Sequence, residues 1–457
     1  MRGLAPALSL AAGLLARSAL GIELNIDDDG SLKKAAGTAA YGLMKYYTGN
    51  NTGDTPGNLP DPYYWWTAGA MFGTMIDYWF LTGDSSYNDA AMQAIVHQAA
   101  DTKDFMPKNQ TRTEGNDDQG FWAMTAMTAA ENKFPDPPSD KPQYLALVQA
   151  VFNQYAQRWD ELDCNGGLRW QIFSFNNGYN YKNSISNGCF FNIAARLARY
   201  TTNTTYADWA TKIFEWEQKV GLIGDNFAVY DGITIDPDKQ CRRVDKNQWS
   251  YNAGIYLEGA AMMYNLTGSD VWKQRVDGIL KEALGRFAKG QILNEQFCEA
   301  QKMCNKDQQS FKGFLARWLA ATTKLAPYTA QTILPVLRAT AQAAAASCTG
   351  SPPDGFKGLP GTACGFIWLD KNFDGLVGVP PQMNAVSAMI YPLVGKAAPP
   401  FTQKSGGTSK GNPDAGTGEQ KDPTALKPIS TMDRVGAGFI TLFLVVSTIG
   451  GTAFMVT

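Results

Sequence analysis

The stretch Asp77–Ile95, DYWFLTGDSSYNDAAMQAI, contains the end of one helical pattern, a short polar turn and the start of a second helical pattern. The same arrangement returns at residues 197–214, LARYTTNTTYADWATKIF, and at residues 262–280, MMYNLTGSDVWKQRVDGIL. In each copy a Ser, Asp or Asn stands where the second helix needs an N-cap. A helix–turn–helix unit that recurs along the chain predicts a repeat architecture built from helical hairpins.

The two helices of each hairpin differ in composition. The first is rich in Ala, Gly, Met and aromatic residues and is apolar on nearly all sides, which is typical of a buried helix. The second carries Lys, Gln, Asp and Arg on one face, as expected of an outer helix. About twelve such helices, in six hairpins, fit between Asp28 and Val394. We therefore predict an all-α fold, an (α/α)6 barrel of six helical hairpins, with one short strand at Gly167–Phe175.

Composition and charge argue against several classes of protein. The 457-residue chain has a formal net charge of −2, whereas nucleic-acid-binding proteins usually present a basic surface, so we expect no nucleic-acid partner. The single histidine, His97, lies in a helical stretch and is interpreted as structural, which leaves no Ser-His-Asp triad and no site of several histidines. No two cysteines have CxxC spacing. Proton transfer would then depend mainly on Asp, Glu, Tyr or Lys, and we expect no metal and no cofactor.

Both ends of the chain have the pattern of targeting segments. Arg2 precedes an apolar run, and small residues stand near position 21, which predicts a signal peptide over residues 1–21. Residues 22–396 then form the helical domain, 397–434 a linker rich in Gly, Ser, Thr and Pro, and 435–457 an uncharged hydrophobic segment. Small residues at 416–418 followed by a polar spacer and this segment predict a GPI-anchor signal. The alternative is a single membrane-spanning helix, but the lack of basic residues after it favours the anchor.

Passage through the secretory pathway would place the chain in an oxidising compartment. Seven cysteines then predict disulfides and one free thiol, and our predicted local bridges are Cys298–Cys304 and Cys348–Cys364. Of Cys164, Cys189 and Cys241 one should be left free, and Cys189, in an apolar helical stretch, is the expected buried thiol. Glycosylation sequons, which also fit this pathway, stand at Asn50, Asn109, Asn203 and Asn265.

Two neighbouring acids, Asp117 and Asp118, stand where a helix begins, in the stretch NDDQGFW at residues 116–122. One interpretation is a helix start, with Asn116 as N-cap, Gln119 three residues later and acids that favour the helix dipole. The helix that follows is apolar, however, so the acids would stand at the mouth of a buried element. An enzyme with a single structural histidine needs carboxylates, and a carboxylate pair fits glycoside hydrolysis: one acid protonates the leaving oxygen while the other attacks or activates water.

Other polar and aromatic candidates lie in segments that lead from irregular chain into buried helices, at residues 60–73, 180–191, 247–259 and 311–319. Loops and helix starts of this kind often form binding sites. Aromatic rings there could stack on sugar faces, although core packing is the alternative for each single ring. With Gln119 and Trp122 of the 116–122 motif and Trp170 added, the candidate substrate-contacting residues are Tyr63, Tyr64, Trp65, Trp66, Gln119, Trp122, Trp170, Asn183, Asn187, Trp249, Tyr251, Lys312 and Arg317.

Four ordered motifs together resemble glycoside hydrolase family 76, the α-1,6-mannanase family, and within it a fungal GPI-anchored cell-wall branch. They are NDDQGFW (116–122), YKNSISNG (181–188), QWSYNAG (248–254) and FKGFLARWL (311–319). The resemblance implies an (α/α)6 barrel and a retaining mechanism on α-1,6-linked mannose. Carried over to this sequence, it makes Asp117 the nucleophile and Asp118 the general acid/base. It also implies sugar contacts, with structural capping as the alternative, for Asn187, Tyr251, Lys312 and Arg317.

The same resemblance implies a substrate and a location. The expected donor is a mannose-containing glycan, either α-1,6-mannan or the core glycan of GPI proteins, and the expected acceptor is cell-wall glucan. The protein would be secreted and held by a GPI anchor at the outer face of the plasma membrane or in the cell wall. Two alternatives stay open from the sequence: a purely hydrolytic endo-α-1,6-mannanase, and a carbohydrate-binding wall protein that has no turnover.

Overall fold

The computed structural model describes residues 21–238, 240–418 and 430–456, and the chain divides into two compact units, one up to Thr417 and one from Gly418. The predicted signal peptide lies, except for Gly21, outside the described residues. The described part of the second unit contains one helix, α13 (Thr431–Val456), which is long and apolar enough to cross a membrane. This helix is compatible with the predicted anchor signal.

The first unit is a closed double ring of twelve helices in the described residues. The inner ring consists of α2 (Trp65–Thr82), α4 (Asn116–Glu131), α6 (Ser184–Thr201), α8 (Ser250–Thr267), α10 (Phe311–Leu325) and α12 (Val379–Ile390). Each inner helix packs against the next, and α12 returns to α2. The outer helices are α1 (Asp29–Met44), α3 (Asn88–Gln98), α5 (Tyr144–Arg158), α7 (Thr204–Lys219), α9 (Asp270–Phe287) and α11 (Ala330–Ser347). The predicted (α/α)6 barrel is confirmed, and α1 is the outer partner of α12.

In the polar turns from which the hairpins were predicted, the inner helices end in the same backbone conformation. Gly83, Thr202 and Gly268 each adopt a left-handed conformation directly after α2, α6 and α8, with φ of 82°, 59° and 64°. Asn203 and Ser269 then cap α7 and α9 as predicted. The predicted side-chain cap is wrong for α3, whose N-cap position is Tyr87, because the Asp84 carboxylate is already bonded to Tyr78 and Ser86 within the turn.

Two buried ion pairs join the inner helices at the end of the barrel where these helices terminate. Arg196 on α6 lies 2.6 Å from Glu131 on α4, and Arg317 on α10 lies 2.8 Å from Asp77 on α2. The Thr128 hydroxyl accepts hydrogen bonds from both guanidinium groups. Buried charges need such partners. We interpret this network as closing the barrel at the end opposite to the loops that precede the inner helices.

Short strands lie in the loops at the other end of the barrel. Strands β1 (Tyr181–Asn183), β2 (Gly232–Thr234) and β3 (Arg243–Asp245) form an antiparallel sheet, and β4 (Ala288–Lys289) pairs with β5 (Ile292–Leu293). The predicted strand at Gly167–Phe175 is wrong. That segment makes one isolated bridge, between Gln171 and Gly115. Its backbone groups bond partly to residues 114–116 and partly to Tyr181, so no continuous ladder with one partner strand forms.

The disulfides follow the predicted pattern. Cys298–Cys304 and Cys348–Cys364 are bridged as expected, and Cys189 is the buried free thiol. The third bridge, Cys164–Cys241, joins the loop after α5 to the loop between β2 and β3. Both loops lie on the side of the barrel where the inner helices begin, so the bridge crosslinks two walls of that end.

Candidate active site

The starts of the inner helices and the loops that precede them enclose a cleft of about 710 Å³. Its size is in the range of ordinary ligand sites. The residues that line it are Tyr64, Trp65, Trp66, Gln110, Thr113, Glu114, Asp117, Asp118, Phe121, Trp170, Gln171, Tyr181, Asn183, Asp231, Asp245, Asn247, Trp249, Tyr251, Asn305, Asp307, Gln308 and Phe311.

Asp117 and Asp118 lie in the cleft on the first turn of α4, and different groups hold their carboxylates. The Gly115 N–H donates to Oδ2 of Asp118 at 2.7 Å, and the Trp170 Nε1–H donates to Oδ2 of Asp117 at 3.1 Å. Oδ1 of Asp117 is buried and has no hydrogen-bond partner among the described residues. Separate parts of the chain therefore hold the two carboxylates, Asp118 by the residue before α4 and Asp117 by Trp170.

The alternative of a plain helix cap by Asn116 and Gln119 is not what the structure shows. Both side chains accept hydrogen bonds from the Arg158 guanidinium, at 2.6 and 2.8 Å, and the N-cap residue is Gly115. A Cβ at Gly115 would lie 2.3 Å from Oδ1 of Asp117, so this position leaves no room for a larger residue without moving the carboxylate. The hydrogen bonds from Arg158 and the close approach of Gly115 to Asp117 thus fix the start of α4.

The two carboxyls hold a proton near neutral pH. Burial and the neighbouring charge of Asp118 raise the pKa of Asp117 well above its ordinary value. Burial also raises the pKa of Asp118 to about 7. The Trp170 indole and the backbone N–H groups of the first turn lower the pKa of Asp117, but by less than burial and Asp118 raise it. The pair can therefore present one ionised and one protonated carboxyl side by side.

The cleft contains more acidic residues than the sequence motifs indicate. Six lining residues are acidic, and none of the lining residues, all in the described part of the chain, is Lys, Arg or His. Besides the pair these acids are Glu114, Asp231, Asp245 and Asp307. Burial and the nearby Asp118 raise the pKa of Glu114 well above its usual range, and burial also raises the pKa values of Asp231 and Asp307.

Sequence reasoning missed these four acids. Glu114 stands three residues before Asp117, within reach of the same motif, and its side chain is only 2% exposed. Asp231 and Asp245 become neighbours through the pairing of β2 with β3, since the Asp231 N–H donates to the Asp245 carbonyl. No local pattern brings together two acids that are fourteen positions apart in the chain.

Several predicted aromatic residues do line the cleft. Trp65, Trp66, Trp249 and Tyr251 are among them, as are Tyr64 and Trp170. Tyr64 is 64% exposed and Trp170 is 37% exposed, so both have ring surface free for stacking. The Tyr251 ring is already stacked on Phe311 at 3.7 Å between centroids. Asn183 also lines the cleft, although its carboxamide oxygen caps α6 by accepting from the Ser186 N–H.

Other predicted sugar contacts lie outside the cleft lining, each for a physical reason. Trp122 is fully buried and packs against Trp65 and Phe105. Gln119 is held by Arg158, and the carboxamide of Asn187 bonds to both backbone groups of Leu168. The hydroxyl of Tyr63 accepts from the Val379 N–H.

The two predicted cationic contacts also lie elsewhere. Lys312 is completely buried, with Nζ 3.0 Å from Glu299, and donates to the Phe366 carbonyl. Arg317 belongs to the ion-pair network at the far end of the barrel, with Asp77. Both positions satisfy buried carboxylates, which explains why an apolar inner helix carries these charges.

Comparison with known proteins agrees with the fold. The sequence model of glycosyl hydrolase family 76 matches residues 31–404. Mannan endo-1,6-alpha-mannosidase DCW1 of Candida glabrata is 46% identical over 454 residues, which cover 98% of this chain and 99% of the relative. The crystal structure of Dfg5 from Chaetomium thermophilum in complex with glucosamine has 47% identity and a TM-score of 0.81, covering 86% of this chain and 97% of that one.

A more distant structure shares the fold alone. The GH76A alpha-1,6-mannanase of Salegentibacter sp. HEL1_6 has 18% identity and a TM-score of 0.62, covering 80% of this chain and 99% of that one. The family match spans most of the first unit, and the 46% identity extends over nearly the whole chain. On this evidence the chain belongs to glycosyl hydrolase family 76, a family of glycoside hydrolases.

Proposed function

We propose that the protein is a retaining glycosidase or transglycosidase that acts on α-1,6-linked mannose. The observation that carries the proposal is the pair Asp117–Asp118, which holds a proton on the floor of an aromatic-walled cleft. Further support comes from the name of the Candida glabrata relative, a mannan endo-1,6-alpha-mannosidase, at 46% identity.

The roles of the two aspartates are those that the resemblance to glycoside hydrolase family 76 implies. Asp118 protonates the glycosidic oxygen as the bond to the anomeric carbon breaks, and ionised Asp117 attacks that carbon to give a covalent glycosyl–enzyme. Asp118, now ionised, then takes the proton of an incoming hydroxyl, whose oxygen displaces Asp117. A water molecule in that second step gives hydrolysis, and a sugar hydroxyl gives transfer. The Trp170 N–H stabilises Asp117 when it is an anion or a leaving carboxylate.

We further propose that the donor is the core glycan of a GPI-anchored protein and that the acceptor is cell-wall glucan. The acidic cleft supports a donor that carries an amino sugar, because an ammonium group is attracted by nearby carboxylates. Glucosamine in the Chaetomium thermophilum complex is a sugar of this kind. α-1,6-Mannan, an uncharged polymer, gains nothing from the acidic lining.

Product analysis tests the choice between transfer and hydrolysis. With a mannose-containing GPI-core fragment as donor, adding a β-glucan oligosaccharide is expected to produce a new donor–acceptor conjugate and to reduce the yield of free reducing ends. If reducing ends alone accumulate at every acceptor concentration, the enzyme is the hydrolytic mannanase. If the intact protein binds the glycan but releases no product, the alternative of a wall protein without turnover replaces the proposal.

The rate should depend on pH through Asp118. The value of kcat/KM is expected to fall as pH rises above about 7, because Asp118 then loses the proton that it must donate. The same shift affects stability: between the ordinary value of 3.8 and about 7 the folded state binds more protons than the unfolded state. The contribution of Asp118 to the free energy of unfolding therefore decreases as pH rises across that window.

Both halves of this prediction can be measured. A pH–rate profile on a soluble mannoside gives the alkaline limb, and thermal unfolding of Asp118→Asn beside the parent gives the stability effect. The variant should be more stable than the parent above pH 7 and should lose that advantage as pH falls toward 3.8. A kcat/KM that stays constant well above pH 7 would rule out Asp118 as the acid.

We also propose that the C-terminal segment is a GPI-anchor signal that places the protein on the outer face of the plasma membrane or in the wall. The apolar helix α13 supports this. Phosphatidylinositol-specific phospholipase C should release the protein from intact membranes. A protein that stays bound after complete cleavage of control anchors would be held by a membrane-spanning helix.

A further inference from the structure

Residues 397–417, which fall in the predicted linker, form an ordered strap on the surface of the first unit. The strap begins at the end of the barrel opposite to the cleft. The Phe401 N–H donates to the carbonyl of Glu131, the last residue of α4. Arg199, near the end of α6, donates to the Pro400 carbonyl at 2.9 Å. A chain that left the barrel here would leave it as far from the cleft as the fold allows.

The strap instead runs along α5, which is antiparallel to α4 and leads back toward the cleft. The Leu145 N–H donates to the Ser409 hydroxyl at 3.0 Å, at the start of α5. Four residues further along the helix, Gln149 accepts from the Asn412 N–H at 2.6 Å. Since α-helices have 3.6 residues per turn, these two contacts lie on one face of α5, one turn apart.

The same face of α5 holds the rest of the strap. Asn153 donates to the carbonyls of Pro413 and Ala415 at 2.8 and 2.7 Å, and Gln157 donates to the Gly416 carbonyl at 3.4 Å. Gly416 has a φ of 73°, and a Cβ there would lie 2.5 Å from the Ala150 carbonyl oxygen. The close backbone approach at this glycine and the regular contacts, about one per helical turn, show that the strap packs closely against one face of α5.

The strap ends partway along α5 on the way to the catalytic end of the barrel, with Gly416 against the backbone of Ala150. Gln157 precedes Arg158, whose guanidinium bonds to Asn116 and Gln119 on either side of the aspartate pair. The fifteen residues of α5 span about 22 Å at 1.5 Å per residue. The strap thus moves the exit of the chain toward the cleft by roughly half the length of α5, on the order of 10 Å. Most of it, from residue 405 on, lies beyond the match to the family, which ends at residue 404.

We propose that the strap turns the cleft end of the barrel toward the lipid bilayer to which the protein is anchored. The inference rests on the proposed GPI anchor, because only a tether that continues from Thr417 into a membrane attachment makes the exit point matter. The surface that faces the lipid is the one formed by the loops before the inner helices. A cleft oriented in this way opens toward glycans that are themselves anchored in the same membrane.

The test compares two ends of the anchored full-length protein on membrane vesicles that contain lipids labelled with an energy-transfer acceptor. A donor fluorophore is introduced genetically either at Lys108, an exposed residue of the loop before α4, or at Ser85, an exposed residue of the turn after α2. The inner helices place these positions at opposite ends of the barrel, roughly 25 Å apart in height. Energy transfer from position 108 is expected to be at least twofold more efficient than from position 85. Equal or reversed efficiencies would overturn the proposal.

Releasing the strap tests its role in the orientation. The double variant Asn153→Ala and Gln157→Ala removes the contacts that hold residues 413–416 and touches no residue of the cleft lining. The ratio of the two transfer efficiencies should fall toward one, while kcat/KM on a soluble mannoside stays within about twofold of the parent. Gln143→Ala, at the N-cap of the same helix, is the matched control and should leave the ratio unchanged, because its amide bonds only to residues 137–141 among the contacts described.

The outcomes separate this inference from the anchoring proposal. If the phospholipase does not release the protein, the anchor itself is refuted. If the phospholipase releases it but the two labels transfer equally, only the orientation is refuted. A strong preference for position 108 that survives release of the strap would show that another part of the surface sets the orientation, and the assignment to the strap would be wrong.

Discussion

Asp117→Asn is expected to lower kcat by on the order of 10⁴-fold or more, as is seen when other covalent nucleophiles are removed. Asparagine has the same shape and still accepts from the Trp170 indole, but it cannot form the glycosyl ester. Asp118→Asn is expected to lower kcat by roughly 10²–10⁴-fold, the usual contribution of a general acid or base. A mannoside with a good leaving group needs less protonation, so its initial rate should be partly restored in Asp118→Asn. The initial rate of Asp117→Asn should stay low on the same substrate.

Azide separates the two roles. With Asp118→Asn, azide should attack the glycosyl–enzyme without needing a base and should restore turnover to a glycosyl azide of retained configuration. With Asp117→Asn, azide should take the place of the missing carboxylate and yield the inverted product. Exchanged stereochemical outcomes would exchange the roles of the residues. Full activity in both folded variants, judged by circular dichroism and thermal unfolding, would refute the site.

Lys312→Met is expected to destabilise the protein by about 3–5 kcal/mol, the usual cost of leaving one charge of a buried pair without its partner. Lys312 Nζ lies 3.0 Å from both carboxylate oxygens of Glu299 and donates to the Phe366 carbonyl. If Lys312 instead contacted a sugar, the substitution would raise KM and leave stability unchanged. Denaturant unfolding together with the kinetics of the surviving folded fraction distinguishes the two.

Two comparisons support the interpretation of that result. Lys324→Met, on the same helix but at a partly exposed position, should change the free energy of unfolding by less than about 1 kcal/mol. Adding Glu299→Gln to Lys312→Met removes the remaining carboxylate charge and should recover part of the lost stability. If Lys312→Met is as stable as the parent, the buried ion pair is not a structural requirement.

The fold was accessible from the sequence because its signals are local. Hairpin turns carry their own stop and start residues, as Gly268 and Ser269 do, and each inner helix is apolar enough to predict burial. The aspartate pair was accessible because a short contiguous motif carries it. These features depend on a few neighbouring residues, and neighbours in sequence are what periodicity and capping rules describe.

The composition of the cleft was less accessible. An inner helix that is apolar on every side has no polar face that would show which of its residues point to the core. The sequence pattern therefore cannot distinguish a core-facing ring such as Trp122 from a cleft-facing ring such as Trp66. Lys312 and Arg317 are charges in an apolar helix, which is a pattern shared by ligand contacts and buried ion pairs. Some acids of the cleft come together only when distant segments pair in the fold, as Asp231 and Asp245 do through β2 and β3. Those placements depend on the whole barrel.

The pairing of α1 with α12 has a consequence for biosynthesis. Helix α1, the first helix of the described residues, finds its partner only after the last inner helix has been made, more than 300 residues later. Until then the inner helices expose apolar surface through an open gap, which is where chaperones bind and where aggregation begins. The ring therefore cannot close until most of the chain has been made, and shortening it at either end of the ring would leave a permanent gap in the wall of the barrel.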